Sequence, residues 1–94
     1  MNPATVEMPL DPQVSAELAG LRYVSSAEPG ITRQRSGRGW VYRKPDGTPL
    51  RDAAELERIK ALVIPPAWRN VWICARANGH LQAVGIDARG RRQY

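Results

Sequence analysis

Residues 68–94, WRNVWICARANGHLQAVGIDARGRRQY, decide the fold. Val71, Trp72, Ile73 and Cys74 form an apolar block rich in β-forming residues. Asn78-Gly79 predicts a two-residue hairpin turn, because both residues tolerate positive φ. His80 to Ile86 then runs back as the return strand. Asp87-Ala88-Arg89-Gly90 puts Asp first and Gly fourth, the order a type I turn prefers, and Arg91 to Tyr94 begins a further strand. A strand tipped with arginines, a glutamine and a tyrosine suits a nucleic-acid groove chemically.

Upstream of this run, Asp52 with Glu55 three residues on forms an Asp version of the capping box. Leu56, Ile59 and Val63 fall on one helical face with Leu62 at its edge, while Glu57, Arg58 and Lys60 point to solvent. Ile64, held extended by the next residue, ends the helix at Pro65-Pro66, and Trp68 is expected to anchor it on the sheet. Trp40 to Arg43 reads as a strand, followed by a Lys44-Pro45-Asp46-Gly47-Thr48 turn and a short return at Pro49 to Arg51. Ile31 to Gln34 and Leu21 to Val24 are further candidate strands, with a loop over 25–30 between them. Asp11-Pro12 opens a short helix with Val14 and Leu18 on its apolar face and Gly20 as its stop, expected to cover one flank of a sheet. The fold class is therefore α+β: a small, mainly antiparallel sheet of about five strands with two short α-helices, spanning 11–94 behind a disordered tail at 1–10.

Ninety-four residues make one small domain. No apolar run nears the roughly 20 residues of a membrane helix, so no membrane partner is expected. The N-terminus lacks a basic-then-apolar secretory pattern, and the single Cys74 cannot form an internal disulfide. Both features point to the cytoplasm. Cys74 reads as a small core residue, and His80, which has no acidic neighbour at useful spacing, as structural or surface-exposed. No His, Cys, Asp and Glu cluster has metal-ligand spacing, so no metal or other cofactor is expected.

The charge is uneven, with a net of −3 over residues 1–28 and +8 over 29–94. Twelve of the fourteen basic residues are arginine, whose planar fork grips phosphates and guanine edges. Arg codon preference alone accounts for that excess, but its placement on turns points toward a polyanion. Arg33, Arg35 and Arg38 surround the Ser36-Gly37-Arg38-Gly39 turn, either as a solvated mobile loop or as a phosphate-touching one. The turn matches no nucleotide-binding motif, having no Lys-Ser/Thr after the glycines. Two other function classes stay open: a basic β-module binding single-stranded RNA, and a protein-interaction module with an acidic partner. Tryptophans beside apolar or Pro-rich segments argue against the first, which needs exposed aromatics for base stacking.

The ordered series GITR (30–33), GWVY (39–42), IPPAW (64–68), VWI (71–73), NGH (78–80) and DARGRRQY (87–94) resembles the N-terminal domain of bacterial, poxvirus-like type IB DNA topoisomerases over roughly residues 21–94. That resemblance implies a β-sheet domain lying over the DNA major groove, opposite a helical catalytic domain of the same chain, the two closing as a clamp. In the family a tyrosine of the second domain forms a 3′-phosphotyrosyl link, and supercoils relax without ATP or an obligatory metal. None of Tyr23, Tyr42 and Tyr94 matches that nucleophile's motif, so these residues alone are expected to be non-catalytic and monomeric. The resemblance assigns duplex contacts to Arg89, Arg91, Arg92, Gln93 and Tyr94. The family commonly carries a polar or basic residue where Ile86 stands, so one phosphate contact is expected to be missing here. Strand alternation sends Arg91 and Gln93 to one face and Arg92 and Tyr94 to the other, which makes Arg92 the weakest expected contact.

Overall fold

The computed structural model describes residues 11–94; the tail expected at 1–10 lies outside them. Helix α1 spans Pro12–Leu18 and α2 spans Ala53–Ala61. Strands β1 (Ile31–Ser36), β2 (Gly39–Arg43), β3 (Arg69–Ile73), β4 (Ala83–Ile86) and β5 (Arg92–Gln93) form one antiparallel sheet in the order β2-β1-β3-β4-β5. This is the small α+β architecture expected from the sequence.

The core lies on one sheet face. Ile31 and Ile73 stand in register across β1 and β3, and with Val71 and Ile59 of α2 they form the buried cluster. Tyr42, Leu50, Leu62, Ile64 and Trp68 close around it. Ile73 has no solvent exposure, so its burial alone stabilises the fold by about 1.5–3 kcal/mol. Trp68 packs against Gly85, where an added Cβ would stand 2.6 Å from the indole, so glycine at 85 is a packing requirement.

Local signals explain the α2 boundaries. The Asp52 carboxylate accepts the Glu55 N–H at 3.0 Å, capping the first turn. Glu55 does not complete the expected box; its side chain pairs with Arg58 at 2.7 Å. At the other end Val63 stands at φ 51, a left-handed position that β-branched residues seldom occupy. Val63 is 79% exposed, so it leaves the apolar face on which its spacing had put it. Arg58 moves the opposite way. Instead of pointing to solvent, its guanidinium donates to Gln82 Oε1 (2.6 Å) and the Cys74 carbonyl (2.8 Å), tying α2 to the sheet.

Three other expectations are corrected. Helix α1 buries Ala16 and leaves Val14 and Leu18 exposed; the Asp11 cap and Gly20 at φ 76 stand as expected. Asn78-Gly79 does not turn a two-residue hairpin, since neither residue has positive φ and β4 begins only at Ala83. Glycine is required at 79 for a different reason: a Cβ there would sit 2.5 Å from Cys74 Sγ. The loop over 75–82 docks on residues 22–24, with the Arg22 N–H donating to the Asn78 carbonyl and the Val24 N–H to His80 Nδ1. The candidate strands at 21–24 and 49–51 accordingly shrink to single bridges, Arg22 to Gly79 and Arg43 to Pro49. His80 is a structural group, stacked on Tyr23 at 4.6 Å.

Candidate nucleic-acid interface

The β4–β5 hairpin is built around one carboxylate. Gly90, at φ 78, donates its N–H to the Asp87 carbonyl at 3.0 Å, closing the turn the sequence predicts. Asp87 Oδ1 accepts the backbone N–H groups of Arg89 and Arg91, each at 2.9 Å. Asp87 Oδ2 accepts Arg91 Nε at 2.9 Å and Gln93 Nε2 at 3.0 Å. These donors hold the Asp87 carboxyl down at about 2, with the Arg91 backbone N–H the largest cause and the Gln93 amide next.

Around this anchor the predicted residues gather. Arg89 projects exposed from the turn, and Arg91, though paired, keeps 61% of its side chain in solvent. Gln93 is half-buried, and Tyr94 is 73% exposed. The alternation holds: Arg91 and Gln93 share Asp87, while the Arg92 guanidinium lies 5.7 Å from the Tyr94 ring centre and donates to Ser26 Oγ.

The β1–β2 arginines behave differently from one another. Gly37 at φ 58 makes a tight two-residue turn, with Ser36 and Gly39 directly paired. Arg38 projects from it exposed. Arg35 lies 4.4 Å over the Trp40 ring, and Arg33 lies over the same ring at 4.0 Å. Arg33 is not a free cation: its nitrogens donate to the carbonyls of Ile64 (3.3 Å), Pro65 (2.9 Å) and Trp68 (3.0 Å). Burial lowers its pKa from the ordinary arginine value. Those bonds tie β1 to the Pro-Pro turn, which gives Arg33 a structural task. The structure thus brings 89–94 together at one sheet edge and leaves Arg35 and Arg38 on the opposite edge, three strands away.

Sequence reading missed Arg69. It stands in register with Ile86, which is in register with Arg92, so two exposed arginines flank Ile86 on either side. Strand spacing puts their backbones about 9–10 Å apart. Only the β3–β4 register reveals this, and that register is shifted by a bulge between Arg69 and Trp72, where Asn70 takes φ 51. Below the row, Ser26, Asn70, Trp72, Val84, Ile86 and Arg92 line a shallow groove of about 260 Å³. All three tryptophans are half-buried, and the Trp72 indole N–H is held by the Glu28 carbonyl at 2.9 Å. Among the described residues, no three His, Cys, Asp or Glu side chains group to hold a metal ion, and no helix is long and apolar enough to cross a membrane.

Comparison with known proteins agrees with the sequence resemblance. The profile of the bacterial DNA topoisomerase IB N-terminal domain matches residues 39–87. DNA topoisomerase 1B of Acanthamoeba polyphaga mimivirus is 43% identical over 65 residues, which are 69% of this chain and 19% of that protein. The chain therefore spans about a fifth of the length of that relative. No solved structure matches.

Proposed function

The chain belongs to the family of bacterial type IB topoisomerase N-terminal domains, and on that premise we propose that it forms the DNA-gripping half of a clamp around duplex DNA. On this reading the β4–β5 edge, with Arg89, Arg91, Arg92, Gln93 and Tyr94, approaches the major groove and its flanking phosphates. Arg69 extends the same row, and Arg35 and Arg38 meet the backbone from the β1–β2 hairpin. The 3′-phosphotyrosyl step and the swivelling of the freed 5′ end belong to a helical catalytic domain of the longer protein, a cytoplasmic monomer acting at the nucleoid. The 94 residues here are inactive in relaxation.

One observation carries the reading: Arg89, Arg91, Arg92 and Tyr94 all stand exposed at a single turn and strand edge, with one carboxylate, Asp87, among them. Arginine forks grouped in this way suit phosphates, and a glutamine among them suits a base edge. The test is duplex binding by fluorescence anisotropy over a salt series. With roughly three to five phosphates neutralised, log affinity falls with log salt at a slope of about −3 to −4.5. Tighter binding to single-stranded RNA of the same length, or no nucleic-acid binding at low salt, would count against it.

A further inference from the structure

We propose that Asp87 sets base preference by fixing which way the Gln93 carboxamide points, so that the edge presents a hydrogen-bond acceptor and reads an exocyclic amine of adenine or cytosine. The inference rests on the DNA-binding reading above and goes beyond it. It concerns what the edge recognises and which residue decides that.

The geometry is closed on the protein side. An ionised carboxylate only accepts hydrogen bonds. Asp87 Oδ2, 3.0 Å from the Gln93 side chain, must therefore face the NH2 group, and the carboxamide oxygen is turned away. The carboxylate is itself held in place, because Oδ1 is engaged by the backbone N–H groups of Arg89 and Arg91, and either of its oxygens would demand the same donor from Gln93. Arg91 Nε reaches the same Oδ2, reinforcing its negative charge.

The consequence is chemical. A free glutamine pairs bidentately with adenine through one donor and one acceptor. With its amide nitrogen held toward Asp87, Gln93 offers chiefly its oxygen. In the major groove the matching donors are adenine N6–H and cytosine N4–H, whereas guanine O6 and thymine O4 are acceptors and are disfavoured. Asp87 touches no base on this account. It is a positioning residue.

Replacing the carboxylate by its amide supplies the test. In Asp87→Asn, Oδ1 can keep the two backbone N–H bonds, while Nδ2 takes the place of Oδ2 and becomes a donor. Gln93 then turns its oxygen inward and its NH2 outward, and the preference for an amine base is lost. The probes are two duplexes of one sequence, one carrying N6-methyladenine and one N4-methylcytosine. Each methyl group occupies the major-groove hydrogen and leaves the pairing hydrogen in place, so the two arms separate adenine from cytosine.

For the native chain, one of the two methylations weakens binding about five- to tenfold, the worth of a well-placed base contact. Asp87→Asn and Gln93→Met bind methylated and unmethylated duplexes alike. In Asp87→Asn the Gln93 side-chain amide proton that was bonded to the carboxylate, read by 15N–1H NMR, loses its downfield hydrogen-bonded shift, which reports the turn of the amide independently of affinity. Duplex binding in which native and Gln93→Met chains respond identically to both methylations overturns this inference and leaves the DNA-binding reading intact. Absence of duplex binding at low salt overturns both.

Discussion

Arg33 stands 4.0 Å over the Trp40 indole and, from that position, donates to three carbonyls of the 64–68 turn. A residue whose charge suggested a phosphate contact is thereby committed to holding two parts of the fold together. Arg33→Met keeps the packing volume and removes the donors, leaving partly buried carbonyls unpaired. The expected loss of stability is about 1–3 kcal/mol in urea unfolding. The salt slope of duplex binding should stay unchanged, whereas Arg89→Ala should make it shallower by about 0.9.

Gly30 abuts the indole of Trp72, where an added Cβ would sit 2.2 Å from Nε1. That nitrogen is fixed by the Glu28 carbonyl, so the ring cannot swing aside without losing its hydrogen bond. Gly30→Ala should destabilise the domain by about 1–3 kcal/mol through overpacking. The midpoint of thermal unfolding should fall by several degrees, about 4–8 °C for each kcal/mol.

Val63 gives a change of the opposite sign. It holds φ 51 with 79% of its surface exposed, so it bears left-handed strain without packing in return. Val63→Gly should raise stability by about 0.5–1 kcal/mol, the relieved strain outweighing the added freedom of the unfolded chain. Chemical denaturation of the two proteins under one set of conditions checks this.

Asp87 makes stability depend on pH in a defined window. Its folded value, about 2, lies below the ordinary 3.8, so the unfolded chain binds the proton more tightly. The stabilisation is fully present above about pH 4 and is lost as pH falls through about 2. Native chain and Asp87→Asn should therefore differ most in stability near neutrality and converge at the acid end, read by urea unfolding at stepped pH. A constant gap across that range would contradict the assignment.

Much of the fold was legible because its signals are local. Gly47 at φ 87 after Pro45-Asp46, the Asp52 cap and the Asp87–Gly90 turn each depend on residues within a few positions. Asn78-Gly79 misled because its sequence favours a hairpin turn, while the glycine is needed for close approach to Cys74. The site shows the same division. The arginines of 89–94 were readable from composition and order. The commitment of Arg33 and Arg58 was not, since their partners lie 31 to 35 and up to 24 residues away. Arg69 was hidden for a similar reason, because a bulge in β3 decides which residue of β4 it faces.

The most direct test of the central claim, that the β4–β5 edge meets DNA, is a 15N–1H NMR titration of the chain with a short duplex. The account predicts the largest amide shifts at residues 89–94, with smaller ones at 35–40 and around Arg69. Shifts confined to α2, with 89–94 unmoved, would contradict it.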